Sequence, residues 1–399
     1  MRAVFALCLA LSLCTEAFGF SVLTHEAIVD ALWNDSMAPL VLERYPTLTA
    51  AELKDAHAYA YGGSIIQDVG YYPFGSKLFS DLTHYVRSGD FVELMLRNAQ
   101  DANEYAFALG ALSHYVADTI GHPEATNRVV PELYPKLRRR FGAVMTYEEN
   151  PAAHLETEFG FDVLQVAKGR YASEDYHEFV GFKVAKRVLE QAFADTYGIE
   201  LKDVFASVDL ALGTYRRGVS TVIPEMTKVA WKQRQQQIET SWPGITRQRF
   251  LYNLSRSSYE REWDREYEQP GPFARFLALL FRLIPRVGPF KPLDYRMPDA
   301  QSEHLFMKSF NDILAKLRSD VAQLQRGSFE VKDVNLDTGT VTKPGEYRLA
   351  DHGWSSLLEK LADKEKAIPQ DLRDQIVAFY RGTQPESVKA RLVLASLSH

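Results

Sequence analysis

Residues 103–123 read NEYAFALGALSHYVADTIGHP, and this stretch decides the fold. Tyr105, Phe107, Leu109, Leu112, Tyr115 and Val116 recur at helical spacing, and Pro123 stands beyond the end, which predicts a helix over 103–121. Into that nearly all-apolar helix the chain sets His114, Asp118 and His122. A spacing of four places successive side chains on one stripe, drifting by about 40° per step. Three such groups are costly to bury unless something satisfies them. One histidine alone would read as a satisfied core residue; His, Asp and His together read as metal ligands.

The same periodicity extends outward. Residues 21–34 follow an i, i+3, i+4 apolar pattern, and further helices are expected at about 90–99, 150–168, 173–195, 202–217, 223–239, 301–325, 354–364 and 369–381. The one β signal is 328–349, where Phe329, Val331 and Val334 lead to Asp337-Thr338-Gly339 and Val341 to Tyr347 return, the pattern of a hairpin. The expected fold class is therefore mainly α, a multi-helix bundle with a helical extension that contains a small β-hairpin. A boundary falls near 266–272, where charged residues give way to Pro270-Gly271-Pro272. It divides the chain into a signal segment 1–19, a helical catalytic domain 20–265 and an extension 266–399.

A chain of 399 residues, 25% charged and 46% hydrophobic, can bury a large core in one domain or two. Its net charge of −6 argues against binding nucleic acid through bulk charge, and no stable nucleic-acid partner is expected. Residues 1–19 have the make-up of a secretory signal: Arg2, an apolar run over 3–14, and Ala17-Phe18-Gly19 with small residues at the cleavage position. The apolar run is too short to span a bilayer. The competing reading is a buried N-terminal helix. Cleavage after Gly19 would leave Phe20 first and give a secreted or periplasmic protein. Both cysteines, Cys8 and Cys14, lie in this segment, so the mature chain would be neither a disulfide scaffold nor a thiol enzyme. Any metal site must then be built from histidines and carboxylates.

His154 and Glu158 repeat the four-residue logic on a second helix. His25 lies five residues after Phe20, while Asp68 and His84 stand in less regular sequence. Taken in order, Phe20-Ser-Val-Leu-Thr-His25, Gln67-Asp68, Thr83-His84-Tyr85, Ser113-His114-x3-Asp118-x3-His122 and His154-x3-Glu158-Phe-Gly resemble the zinc-dependent phospholipases C. Relatives of that family include the catalytic domain of glycosylphosphatidylinositol-specific phospholipase D and, more distantly, the S1/P1 nucleases. The resemblance covers about residues 20–165, and Asp162-Val163-Leu164 is similar to the phospholipase D relatives in particular. It implies a phospholipase C/P1 nuclease-like helical bundle, a phospholipid substrate and three Zn2+ ions. One zinc would be held by Asp68, His84, His114 and Asp118, and a second by His122, His154 and Glu158 with a position left open. The third would take the terminal amine and carbonyl of Phe20 with His25, bridged by Asp118. The family commonly begins its mature chain with Trp, whereas this one would begin with Phe.

Such a cluster suits phosphodiester hydrolysis. Zinc neutralises charge gathering on the phosphoryl oxygens and lowers the pKa of bound water to roughly 7. Asp68 beside that water would assist as general base. No nucleophilic side chain is needed, and no Ser–His–Asp arrangement with a nucleophile elbow is recognisable. An S1/P1-type nuclease is the enzymatic alternative; those enzymes typically place Asp where Glu158 stands. A catalytically idle, zinc-stabilised surface-binding protein is the alternative from another class.

Other features read more plainly. Within residues 272–295, PFARFLALLFRLIPRVGPFKPLDY, an amphipathic helix is expected to start at Pro272 and end at Pro285; it is too short to span a bilayer and could make peripheral membrane contact, although packing against the protein is the favoured reading. Lys136-Leu-Arg-Arg-Arg140 reads as a solvated helix face. Tyr71, Tyr72 and Phe74 fit a substrate pocket or a core equally well. His57, His177, His304, His352 and His399 have no ligand-like company.

Overall fold

The computed structural model describes residues 22–168, 170, 182–219, 235–236, 239, 295–364 and 368–397. The signal segment 1–19, Phe20, all but 235–236 and 239 of the expected helix over 223–239, and the amphipathic stretch 272–294 lie outside the described residues, as do His177 and His399.

The described chain is a helical bundle. Its helices are α1 (Val22–Leu32), α2 (Ala38–Arg44), α3 (Ala50–Ile65), α4 (Lys77–Tyr85), α5 (Ser88–Asn98), α6 (Ala102–Gly121), α7 (Asn127–Leu133), α8 (Pro135–Phe141) and α9 (Pro151–Ala167). They continue as α10 (Lys186–Tyr197), α11 (Leu201–Val204), α12 (Val208–Arg217), α13 (Ala300–Gln325), α14 (Arg348–Leu361), α15 (Gln370–Phe379) and α16 (Val388–Leu397). A 3-10 turn spans Ile66–Tyr71, and π-helical turns span Trp33–Met37 and His122–Thr126. Among the described residues no helix is long and apolar enough to cross a membrane.

Helix starts follow local chemistry. Thr49 and Glu52 form a capping box on α3, with Thr49 N–H donating to Glu52 Oε2 at 2.8 Å. Asp101 accepts from Glu104 N at 2.9 Å to open α6, and Asp299 accepts from Ser302 N at 2.8 Å to open α13. The expected helix over 202–217 is broken in two because the Ser207 hydroxyl accepts from Leu210 N and starts α12 afresh. The expected 173–195 segment is helical only from Lys186, with 173–181 outside the described residues.

Helix α6 runs through the core, and Phe107, Leu109 and Leu112 are fully buried. Burying each such side chain is worth roughly 1.5–3 kcal/mol. Helix α3 crosses α6 at backbone contact. A Cβ on Gly63 would lie 1.8 Å from the Phe107 carbonyl oxygen, and one on Gly110 would lie 2.0 Å from that of Ala60. Only glycine permits this approach. The crossing brings the carbonyl of Ser64 to the side chain of His114.

The C-terminal helices share this core. Phe306, Ile313 and Leu317 of α13 and Leu357 and Leu358 of α14 are buried in the same cluster as the residues of α1, α3 and α6. The expected hairpin over 328–349 is reduced to one antiparallel bridge, Asn335 to Thr340, and no strand forms among the described residues. Its polar groups bond to helices instead. Leu336 N donates to the His84 carbonyl at 3.0 Å, Ser88 Oγ donates to the Val334 carbonyl, and Asp333 Oδ1 accepts from Gly89 N and Asp90 N at the start of α5. A backbone so engaged has no partners left for a ladder.

Gly63→Ala and Gly110→Ala should each lower stability by at least about 1–3 kcal/mol, the usual cost of overpacking. Chemical unfolding of the two variants checks this; midpoints equal to wild type would mean that the α3–α6 crossing tolerates a methyl group.

Candidate metal centre

Helix α6 carries His114 and Asp118 on one stripe and ends at His122, where the chain turns into the π-helical segment that contains Pro123. Asp118 is 4% exposed and sits among four imidazoles. Its Oδ2 is 3.1 Å from His114 Nε2 and 3.5 Å from His84 Nε2, and its Oδ1 is 3.4 Å from His25 Nε2 and 3.6 Å from His122 Nε2. Neighbouring elements supply the rest. The 3-10 turn brings Asp68 Oδ1 to 3.3 Å from His84 Nε2. Helix α9 brings Glu158 Oε1 to 3.1 Å from His122 Nε2 and 3.2 Å from His154 Nε2. The donor atoms fall into three groups that could each hold a metal ion: His25, His114 and Asp118; Asp68, His84 and His114; His122, His154 and Glu158. Every sequence-selected candidate among the described residues is therefore in this cluster.

The imidazoles are aimed by backbone carbonyls. His84 Nδ1 lies 2.8 Å from the Ser80 carbonyl and His114 Nδ1 lies 2.9 Å from that of Ser64. A carbonyl can only accept, so both rings carry their proton on Nδ1 and turn the Nε2 lone pair inward. Those two Nε2 atoms lie 3.3 Å apart, beside the carboxylates of Asp68 and Asp118. Lone pairs and carboxylates meeting in a buried space repel unless positive charge lies between them. His25 Nδ1 and His154 Nδ1 are buried without a hydrogen-bond partner, and His154 Nε2 has only the carboxylate of Glu158 beside it. This donor set fits divalent cations, and zinc in particular, which takes nitrogen and carboxylate ligands.

Without a cation, protons take its place. Burial lowers the His84 pKa, but hydrogen bonds to Asp118 and Asp68 outweigh it and raise the value to about 10. His122 is likewise pushed well above the ordinary histidine range, with burial overcome by Asp118, Asp337 and Glu158. Glu158 is held down at about 2, its burial overcome by His154 and His122. His25 moves the other way, to about 4, because burial and the neighbouring His114 outweigh the carboxylates. It is neutral at pH 7, as a ligand must be.

Two residues without an assigned role in the sequence reading hold this frame. Asp162 of α9 accepts from Leu23 N at 3.2 Å, Thr24 N at 3.1 Å and Thr24 Oγ1 at 2.6 Å. These are orphan donors of the first turn of α1, so Asp162 sets the position of His25 one residue on. The other is Asp337, whose Oδ1 lies 3.3 Å from His122 Nδ1. Asp-Thr-Gly reads as a turn, and only its docking reveals a further use.

A shallow cleft borders the cluster, lined also by Tyr71, Tyr85, Tyr147 and Leu155. A second, also lined by Asp118, has an apolar wall of Ile28, Phe306, Phe310 and Ile313. Tyr71 edges the site, 5.9 Å ring to ring from His84, whereas Tyr72 packs in the core 4.0 Å from Tyr215. His57 is buried against Asp30 and Trp33, while His304, His352, Lys136 and Arg138 to Arg140 are exposed.

Residues 24–207 match the family model described as zinc dependent phospholipase C. No match was found among curated proteins or among solved structures.

Zinc loading has to displace the protons that His84 and His122 retain at neutral pH, so binding should release protons and tighten as pH rises. Calorimetric titration of metal-free protein at pH 7 in buffers of differing ionisation enthalpy measures the count. Binding enthalpies that do not depend on the buffer would contradict the protonated resting state.

Proposed function

We propose, from the match of residues 24–207 to the zinc dependent phospholipase C family model, an exported phosphodiesterase that hydrolyses phospholipids with three zinc ions. The observation that carries the proposal is the convergence of three ligand groups around the single carboxylate of Asp118, beside a shallow cleft. His122, His154 and Glu158 would hold one zinc; Asp68, His84, His114 and Asp118 a second; and His25 with Asp118 and the terminal Phe20 a third. The signal-like segment 1–19 is the support for export and for Phe20 as the first residue.

When bound, zinc supplies positive charge for the phosphoryl oxygens and makes water acidic near neutral pH. The protein's own residues do the remaining work. Asp68, on the cleft wall, takes the proton of the attacking water. Tyr71 and Tyr85 line the cleft as neutral phenols, and burial moves both further above the usual tyrosine range. Ser64 and Ser80, through their carbonyls, keep the lone pairs of His114 and His84 pointing inward.

Turnover of phosphatidylcholine and phosphatidylinositol vesicles should disappear with chelator and return with zinc, and His114→Ala or Asp118→Ala should lose at least one zinc and nearly all activity. Unchanged turnover in either variant would reject the assignment. Asp68→Asn should lower kcat by about 10²–10⁴-fold, the usual contribution of a general base. A loss below tenfold would remove Asp68 from that role.

A further inference from the structure

The turn over 333–340 lies beyond the matched residues 24–207, yet it reaches the metal centre. Asp337 is 1% exposed. Its Oδ2 accepts from Tyr147 N and from the Tyr347 hydroxyl, both at 2.8 Å. Its Oδ1 lies 3.3 Å from His122 Nδ1 as a close ion-pair contact, and both atoms are buried with no hydrogen bond to any other described residue. On the far side of the same ring, Nε2 faces Glu158 Oε1 at 3.1 Å.

The turn is seated tightly. Asn335 Oδ1 accepts from Asp337 N at 2.9 Å, Asn127 Nδ2 donates to the Asp337 carbonyl at 2.7 Å, and Leu336 N donates to the carbonyl of His84. At Gly339, φ is +68° and an added Cβ would come within 2.6 Å of the Thr119 carbonyl oxygen, so the turn abuts the end of α6 just before His122. It therefore touches two of the candidate ligand residues, His84 through the Leu336 backbone and His122 through the Asp337 carboxylate.

We propose that Asp337 is a positioning residue for His122: its carboxylate accepts from Nδ1–H, selects the tautomer with the Nε2 lone pair, and thereby makes the C-terminal segment part of the site shared with His154 and Glu158. Partners of this kind fix ring orientation and raise ligand basicity. A backbone carbonyl does this for His84 and His114, whereas His122 receives a full negative charge from a distant part of the chain. The proposal rests on the reading of His122 as a zinc ligand.

The test compares wild type, His122→Ala, Asp337→Asn and Tyr347→Phe as full-length proteins by zinc content, competition with a chelator of known affinity, and the absorption spectrum after cobalt substitution. His122→Ala should lose one metal. Asp337→Asn can turn an amide N–H toward Nδ1 and favour the wrong tautomer, so one zinc should weaken by about 10–100-fold with a changed cobalt spectrum. Tyr347→Phe keeps the carboxylate and serves if Asp337→Asn does not fold; it should weaken the same zinc less, with a spectral shift in the same direction. If His122→Ala loses a metal while Asp337→Asn and Tyr347→Phe keep wild-type affinity and spectrum, the positioning role is overturned and the ligand reading survives. Full zinc content in His122→Ala overturns both.

Discussion

A carboxylate buried among four imidazoles sets the terms for this protein. Asp118 is held well below the ordinary aspartate range, its burial overcome chiefly by His114 and His122. Taking an ion out of water costs several kcal/mol even after relaxation. That cost is tolerated only where positive charge is guaranteed, by protons on histidines or by divalent cations. Every neighbouring element answers to this constraint. Helix α1 brings His25, α4 brings His84, the 3-10 turn brings Asp68, and α9 answers with Glu158 and His154.

The scaffold meets the demand by making its backbone part of the site. Helices α3 and α6 cross so closely that glycine is required on both, and the crossing delivers the Ser64 carbonyl to His114. Helix α4 supplies the Ser80 carbonyl to its own His84, four residues on. Rigid carbonyls orient imidazoles without adding charge to an already crowded anion site. Packing density and ligand geometry are thus one requirement, and a loss of the first is felt at once in the second.

The C-terminal part is bound into the same arrangement. Helices α13 and α14 complete the core, and the turn between them carries Asp337 to His122. The hydrophobic pattern there resembles a hairpin, yet its hydrogen bonds run to α4, α5 and α7. Alternation of apolar residues states only which side chains seek burial. Which partner satisfies the backbone is settled by what lies alongside.

By itself the sequence determined the helical class and two stripes of the centre, His114, Asp118 and His122 on α6 and His154 and Glu158 on α9. Spacing of four within one helix leaves a local imprint, because the backbone repeats every 3.6 residues. His25, Asp68 and His84 carry no such imprint and were legible only through the order of motifs that the chain resembles. Helix α3 was missed because its second half, Ala56 to Ile65, is rich in alanine and glycine and buried on nearly every side, so it makes no amphipathic stripe. The tertiary structure alone decided that Asp162 would anchor the start of α1 and that Asp337 would face His122. Those pairings join residues far apart in the chain, where no periodicity connects them, and only the packing of helices fixes which buried charge meets which.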